Sequence, residues 1–217
     1  MIRARIVFDL DGTLIDSAPE IQGIANALLA QDNIAPLSLA ETRSFIGNGI
    51  DVFIRRMRDL RDIPPDRQED LTEAFVAKYA TSFDQTRLYP GVEDSLQKLR
   101  EHHALGICTN KLIGPCHAVL DHLHIKRFFD TVWGGDSLPT RKPDPAMLKA
   151  AFEDLDGEKL IYVGDSEIDA ETARRAQVPF LLFTGGYRKS PVDQITNDGT
   201  FDHHSELPAL IGAMKSV

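Results

Sequence analysis

Ile6-Val7-Phe8-Asp9-Leu10-Asp11-Gly12-Thr13-Leu14 is an apolar run that ends in two carboxylates, one residue apart, followed by a glycine. Consecutive apolar residues predict a strand buried on both faces of a parallel sheet. Carboxylates are tolerated there only at the strand's exit, and in open α/β sheets the carboxyl ends of strands are where ligands bind. Acids two positions apart point roughly the same way in extended chain. Two like charges then share one small space, which calls for a cation between them or a proton on one. An Asp-Gly turn accounts for Asp11 and Gly12, but it leaves Asp9, which interrupts the run two residues earlier, unexplained.

The remaining apolar stretches repeat the pattern. Ala104–Thr109, Thr131–Trp133, Leu160–Gly164 and Phe180–Phe183 predict strands, separated by helices over Val92–Arg100, Leu112–Leu123, Pro145–Leu155 and Glu167–Gln177, with a closing helix at Leu207–Met214. Such alternation predicts a doubly wound parallel sheet, an α/β Rossmann-like core. Residues 16–85 contain no convincing strand. Ile21, Ile24, Ala25, Leu28 and Leu29 form a helical stripe there, and Ser17-Ala18-Pro19-Glu20 and Ser38-Leu39-Ala40-Glu41 read as capping boxes. The chain is therefore expected to comprise a core of residues 1–15 and 86–217 and an inserted helical cap of residues 16–85.

With 217 residues, 42% of them hydrophobic, the chain can fill one large core plus a small insertion. Its formal net charge of −9 argues against nucleic acid and anionic membrane as partners. An anionic metabolite remains compatible, provided a metal and a few basic residues make the site locally positive. Cys108 and Cys116 lack paired spacing, and neither a secretory segment nor a membrane span is evident, which predicts a cytoplasmic protein, monomeric or homodimeric.

The polar residues gather at the strand ends. After Asp9 and Asp11 come Thr109-Asn110-Lys111, then Gly134-Gly135-Asp136 with Arg141-Lys142-Pro143-Asp144-Pro145, then Gly164-Asp165-Ser166-Glu167-Ile168-Asp169. Parallel strands place all of these on one edge of the sheet.

In this order the clusters resemble the haloacid dehalogenase superfamily, in its phosphatase branch with a helical cap. The resemblance spans nearly the whole chain. Phe45-Ile46-Gly47-Asn48-Gly49, Tyr89-Pro90-Gly91-Val92, Thr109-Asn110-Lys111 and Lys142-Pro143-Asp144-Pro145 are similar to stretches of the bacterial phosphoglycolate phosphatases. The resemblance implies an Mg²⁺-dependent phosphatase acting on a small phosphorylated metabolite, with 2-phosphoglycolate favoured. The alternatives are another small-metabolite phosphatase, a sugar-phosphate mutase resembling beta-phosphoglucomutase, or a silent binding protein.

By the same resemblance Asp9 is the nucleophile, a carboxylate that is ionised at neutral pH and needs no activating base. Asp11 is the general acid and then the base. The metal is held by Asp9, the Asp11 carbonyl and Asp165, an all-oxygen set suited to Mg²⁺. Thr109, Asn110 and Lys142 bind phosphate, while Asp169 holds a metal-bound water or Lys142. Asp165 and the Thr-Asn pair could instead serve as helix caps. Gly12 and Gly164 are expected to allow close backbone approach. Arg43, Arg55 and Arg56 are candidates for a substrate carboxylate, and Cys108 is read as core.

Overall fold

In a computed structural model of the chain, residues 3–214 are described. The sheet is six-stranded and built from β1 (Ala4–Phe8), β4 (Ala104–Cys108), β5 (Thr131–Trp133), β6 (Lys159–Gly164), β7 (Phe180–Phe183) and β8 (Gly199–Phe201). Every pairing in it is parallel, and the order across the sheet is β5-β4-β1-β6-β7-β8. This is the Rossmann order, in which the strand sequence reverses direction between β1 and β6. The crevice at that reversal lies between the ends of these two strands, where Asp9 and Asp165 follow them in sequence.

Period-2 alternation decides what each face of β1 meets. Ile6 and Phe8 pack with residues of α5 (Val92–Arg100), α6 (Ile113–His122) and α9 (Leu207–Ala213). Val7 faces the other layer, formed by α7 (Ala146–Glu153) and α8 (Glu167–Ala176). Ile6, Val7, Phe8 and Leu10 are all fully buried, as their run of apolar residues requires. Cys108 and Cys116 are buried free thiols.

Helices α1 (Ala18–Gln31), α2 (Leu39–Phe45), α3 (Ile50–Leu60) and α4 (Gln68–Tyr79) lie between β2 (Ile15–Asp16) and β3 (Arg87–Leu88). They surround an apolar cluster of their own that includes Ile24, Leu28, Phe53, Met57, Leu71 and Phe75. The strands β2 and β3 pair antiparallel and so close the two chain crossings into one narrow ribbon.

Three local expectations differ from the structure. The β2–β3 ribbon and β8 were not expected: each is only two or three residues long and carries too little pattern to stand out from turn sequence. The Ser38 capping box is formed, with Ser38 Oγ accepting from the Glu41 N–H and Glu41 Oε2 from the Ser38 N–H. The expected box at Ser17 is not formed. The Ser17 hydroxyl donates to Asp11 Oδ1 at 2.6 Å, and Glu20 Oε2 accepts from the Gln85 N–H at 2.6 Å.

Candidate active site

Asp9 is the first residue beyond β1, and its N–H still donates to the Val163 carbonyl of β6 at 2.9 Å. The chain then turns tightly, the Leu10 carbonyl accepting from the N–H groups of Thr13, Leu14 and Ile15. Gly12 takes φ +91° in this turn, and a Cβ there would lie 2.5 Å from Asp165 Oδ2. A Cβ on Gly164 would likewise meet Asp169 at 2.5 Å. The two glycines let the backbone lie against carboxylates of the site.

Asp9, Asp165 and Asp169 are buried, and each offers an oxygen within 4.8 Å of the others. Lys142 Nζ lies 2.8 Å from Asp9 Oδ1 and 2.7 Å from Asp169 Oδ1. Asp169 is saturated: Oδ1 also accepts from the Tyr162 hydroxyl at 2.8 Å, and Oδ2 accepts from the Ser166 hydroxyl and N–H. Asp165 accepts from Thr13 Oγ1 at 2.9 Å and from the Tyr187 N–H at 2.6 Å. Asp165 is not a helix cap, since Ser166 stands at that position of α8. Asp9 Oδ1 has the Lys142 charge beside it but accepts no hydrogen bond among the described residues.

Three buried carboxylates share one ammonium, a net deficit of two positive charges at the floor of a cavity. Burial pushes the Asp9 carboxyl up to about 7 despite the opposing pull of Lys142. Burial also raises Asp165 well above the usual carboxylate range, with the charges of Asp169 and Asp9 adding to it. Burial works on Asp169 in the same sense, but there Lys142 and the hydrogen bonds outweigh it and the carboxyl is held low. A hard divalent cation would cancel the deficit and find only oxygen donors, so the residues present fit one.

Asp11 faces a different set of groups. Its Oδ1 takes the Ser17 hydroxyl at 2.6 Å, Lys111 Nζ at 3.4 Å and the Tyr79 hydroxyl at 3.5 Å. Lys111 Nζ contacts the Tyr79 hydroxyl and lies 3.7 Å from the centre of that ring. The sequence pattern gives no role to Lys111 or to Tyr79. The one available signal was a lysine at a strand end, inside a stretch already singled out.

Thr109 is buried, and its Oγ1 accepts from the Lys111 N–H at 3.2 Å, which leaves its own proton to give. The Asn110 amide is already engaged, donating to the Gly47 carbonyl at 2.9 Å and the Lys142 carbonyl at 3.0 Å. It therefore braces the Lys142 loop and the Gly47 turn. α6 is capped at Leu112, so Thr109 and Asn110 are free of that task.

A cavity of about 300 Å³ opens onto these groups. Its lining comprises Asp9, Asp11, Thr109, Asn110, Lys111 and Lys142 from the strand ends, together with Ile21, Ile46–Ile50, Phe53, Phe75 and Tyr79 from the helical insertion. Arg43, Arg55 and Arg56 do not line it, contrary to expectation. The Arg43 guanidinium pairs with Asp16 at 3.1 Å, Arg56 donates to the Phe45 carbonyl at 3.1 Å, and Arg55 is exposed.

A Rossmann-ordered core with four polar strand ends beneath a helical insertion defines a hydrolase class. The family model for haloacid dehalogenase-like hydrolases matches residues 6–183, and the chain belongs to that family. Within it, the chain is 47% identical over 210 residues to the phosphoglycolate phosphatase of Cereibacter sphaeroides, covering 95% of this chain and 96% of that one. The phosphoglycolate phosphatase of Rhodobacter capsulatus is 42% identical over 211 residues, 95% of each chain. A crystal structure described as a predicted phosphoglycolate phosphatase from Haemophilus somnus superposes with a TM-score of 0.86 at 28% identity, covering 95% of this chain and 96% of that one. Among the described residues no helix is long and apolar enough to cross a membrane.

Proposed function

We propose that this protein is a phosphatase that hydrolyses 2-phosphoglycolate to glycolate and inorganic phosphate through an aspartyl-phosphate intermediate. The observation that carries the reading is the buried cluster of Asp9, Asp165 and Asp169, with Lys142 paired to Asp9 and Asp169 and with Asp11 lining the same cavity.

Asp9 attacks phosphorus through a carboxylate oxygen while the bond from phosphorus to the glycolate oxygen breaks. Asp11 gives a proton to that departing oxygen, without which an alkoxide leaves poorly. Asp11 then takes a proton from water, whose oxygen attacks phosphorus, and the Asp9 carboxylate departs unchanged. Lys142 and the Thr109 hydroxyl hold phosphoryl oxygens, and Asp169 holds Lys142 in place. Asp9, the Asp11 carbonyl and Asp165 would hold Mg²⁺, which supplies positive charge so that two anions can meet. We assign residues 16–85 the role of a cap, supported by their separate apolar cluster and their share of the cavity wall. Closed over the core, they keep water from the acyl phosphate except where Asp11 admits it.

The test is phosphate release from 2-phosphoglycolate beside a panel of small phosphate esters, with Mg²⁺ and with chelator. The expected result is a kcat/KM for 2-phosphoglycolate well above the panel, abolished by chelation. Weak, even activity across the panel would retain the chemistry and remove the substrate; accumulation of an isomer in place of phosphate would replace the hydrolase with a mutase.

A further inference from the structure

Of the lysines and arginines among the described residues, Lys111, Lys142 and Lys189 line the cavity. Lys142 is committed to Asp9 and Asp169. Lys189 is an exposed residue at the rim. Lys111 alone is a buried ammonium, its side chain 2% exposed, that faces the cavity beside the proposed proton donor.

Position decides what such a cation can serve. Asp9, Lys142 and Asp165 mark the phosphoryl end. Asp11 must reach the bridging oxygen, so the leaving group begins at Asp11 and extends away from Asp9. Three groups meet Asp11 Oδ1, and of these Lys111, at 3.4 Å, and the Tyr79 hydroxyl, at 3.5 Å, line the cavity, whereas Ser17 does not. The carboxyl carbon of glycolate is two bonds beyond the bridging oxygen, so the carboxylate lies beside Asp11, where these two donors stand. Phe75 packs against Tyr79 with ring centres 5.5 Å apart, and Phe53 against Phe75 at 5.4 Å. Aromatic walls keep the local dielectric low and strengthen whatever ion pair forms between them.

We infer that Lys111 and Tyr79 form the subsite for the carboxylate of the leaving group, an inference that rests on the phosphoglycolate reading above. Lys111 supplies the charge from the core, and Tyr79 supplies a hydroxyl from the end of α4. The specificity of the enzyme is thus completed by the meeting of one core residue and one residue of the insertion. It does not use the arginines of α2 and α3.

The experiment compares kcat/KM for 2-phosphoglycolate with that for ethyl phosphate, the same ester with a methyl group in place of the carboxyl. Both are measured in the wild type, Lys111→Met and Tyr79→Phe, with circular dichroism to confirm folding. A charge-assisted hydrogen bond is worth roughly 1.5–3 kcal/mol, or about 10- to 100-fold. The ratio of the two specificity constants is expected to fall by that factor in Lys111→Met, mainly through KM for 2-phosphoglycolate. Tyr79→Phe should lower the ratio less. An unchanged ratio, whether both rates hold or both fall together, overturns the inference while leaving the phosphoglycolate reading in place. A wild type that does not favour 2-phosphoglycolate over ethyl phosphate overturns that reading and the inference with it. Should Lys111→Met fail to fold, an unchanged ratio in Tyr79→Phe overturns the subsite by itself.

Discussion

The floor and the roof of the cavity are built on opposite principles. The floor is charged, and nearly every polar atom in it is held by another: Asp169 by Lys142, Tyr162 and Ser166, Asp165 by Thr13 and Tyr187. The roof is apolar, made of Ile21, Ile46, Ile50, Phe53 and Phe75, with Tyr79 reaching down from it. The contrast separates two tasks. Charge that must be correctly placed before substrate arrives belongs on rigid strand ends, where no reorganisation is needed during the reaction. Water exclusion and leaving-group fit require only shape, which a mobile element can supply by closing. In the proposed carboxylate subsite the two principles meet at one pair, Lys111 and Tyr79.

The largest break in this comparison comes from the floor. Asp9→Asn should lower turnover by roughly four orders of magnitude or more, as nucleophile removal does elsewhere, while leaving the fold intact. Phosphate release and circular dichroism together check it, and substantial residual turnover would unseat Asp9 as the nucleophile. Lys142→Met comes next. It leaves two buried carboxylates without their ammonium, which should cost about 3–5 kcal/mol in stability and about 100-fold or more in turnover. Adding Asp169→Asn should restore part of the stability, because the two changes act on one ion pair. Strict additivity in chemical denaturation would mean that the pair does not hold this floor together.

Tyr187→Phe probes the seam between floor and roof. The Tyr187 hydroxyl donates to Asp16 at 2.6 Å and accepts from the N–H groups of Ser17 and Ala18 at the start of α1, while its own N–H holds Asp165. Removing one oxygen leaves the buried Ser17 N–H unpaired, while the Ala18 N–H keeps Asp16 Oδ1 at 3.3 Å, an expected loss of about 1–3 kcal/mol. The kinetic effect should be a rise in KM larger than the fall in kcat. A collapse of kcat with stability preserved would place Tyr187 in the chemistry itself.

Most of the floor was legible in the sequence because it violates local rules. Asp9, Asp11 and Asp165 each interrupt or end an apolar run, and Lys142 sits in a proline-rich loop between strands. The fold was legible for a related reason, since long runs such as Ile6–Leu10 and Leu160–Val163 carry an unambiguous period. The roof and seam were less legible because their roles exist only in three dimensions. Ser17 has all the local marks of a helix cap, yet its hydroxyl turns to Asp11. Tyr79 falls on a helical apolar stripe and is buried as that stripe predicts, but its hydroxyl reaches a carboxylate 68 residues away in sequence. Tyr187 meets the α1 start across 170 residues. No periodicity reports contacts of that kind.

His204 offers the mildest test, because it sets a buried polar group outside the cavity lining against those in the floor. It is 1% exposed, and neither ring nitrogen has a hydrogen-bond partner among the described residues. The ring centre lies 4.6 Å from that of Phe183 and 5.3 Å from that of Phe201, and Tyr89 stacks on it at 6.3 Å. Burial lowers the imidazole to about 4, below its ordinary value of 6.5. The unfolded chain therefore binds a proton more readily than the folded one. The histidine's contribution to stability is complete above pH 6.5 and is lost as pH falls toward 4, amounting to ~3 kcal/mol at the acid end. His204→Phe places a fourth apolar ring among three others and removes the titration. Turnover at neutral pH should not change, and the midpoint of thermal unfolding should fall less steeply between pH 6.5 and 4 than in the wild type. If the two midpoint curves stay parallel through that range, the acid sensitivity originates elsewhere, and the floor carboxylates become the next groups to titrate. If they diverge as expected, buried polar groups in this molecule divide into those held by partners for catalysis and one that an apolar ring replaces at no catalytic cost.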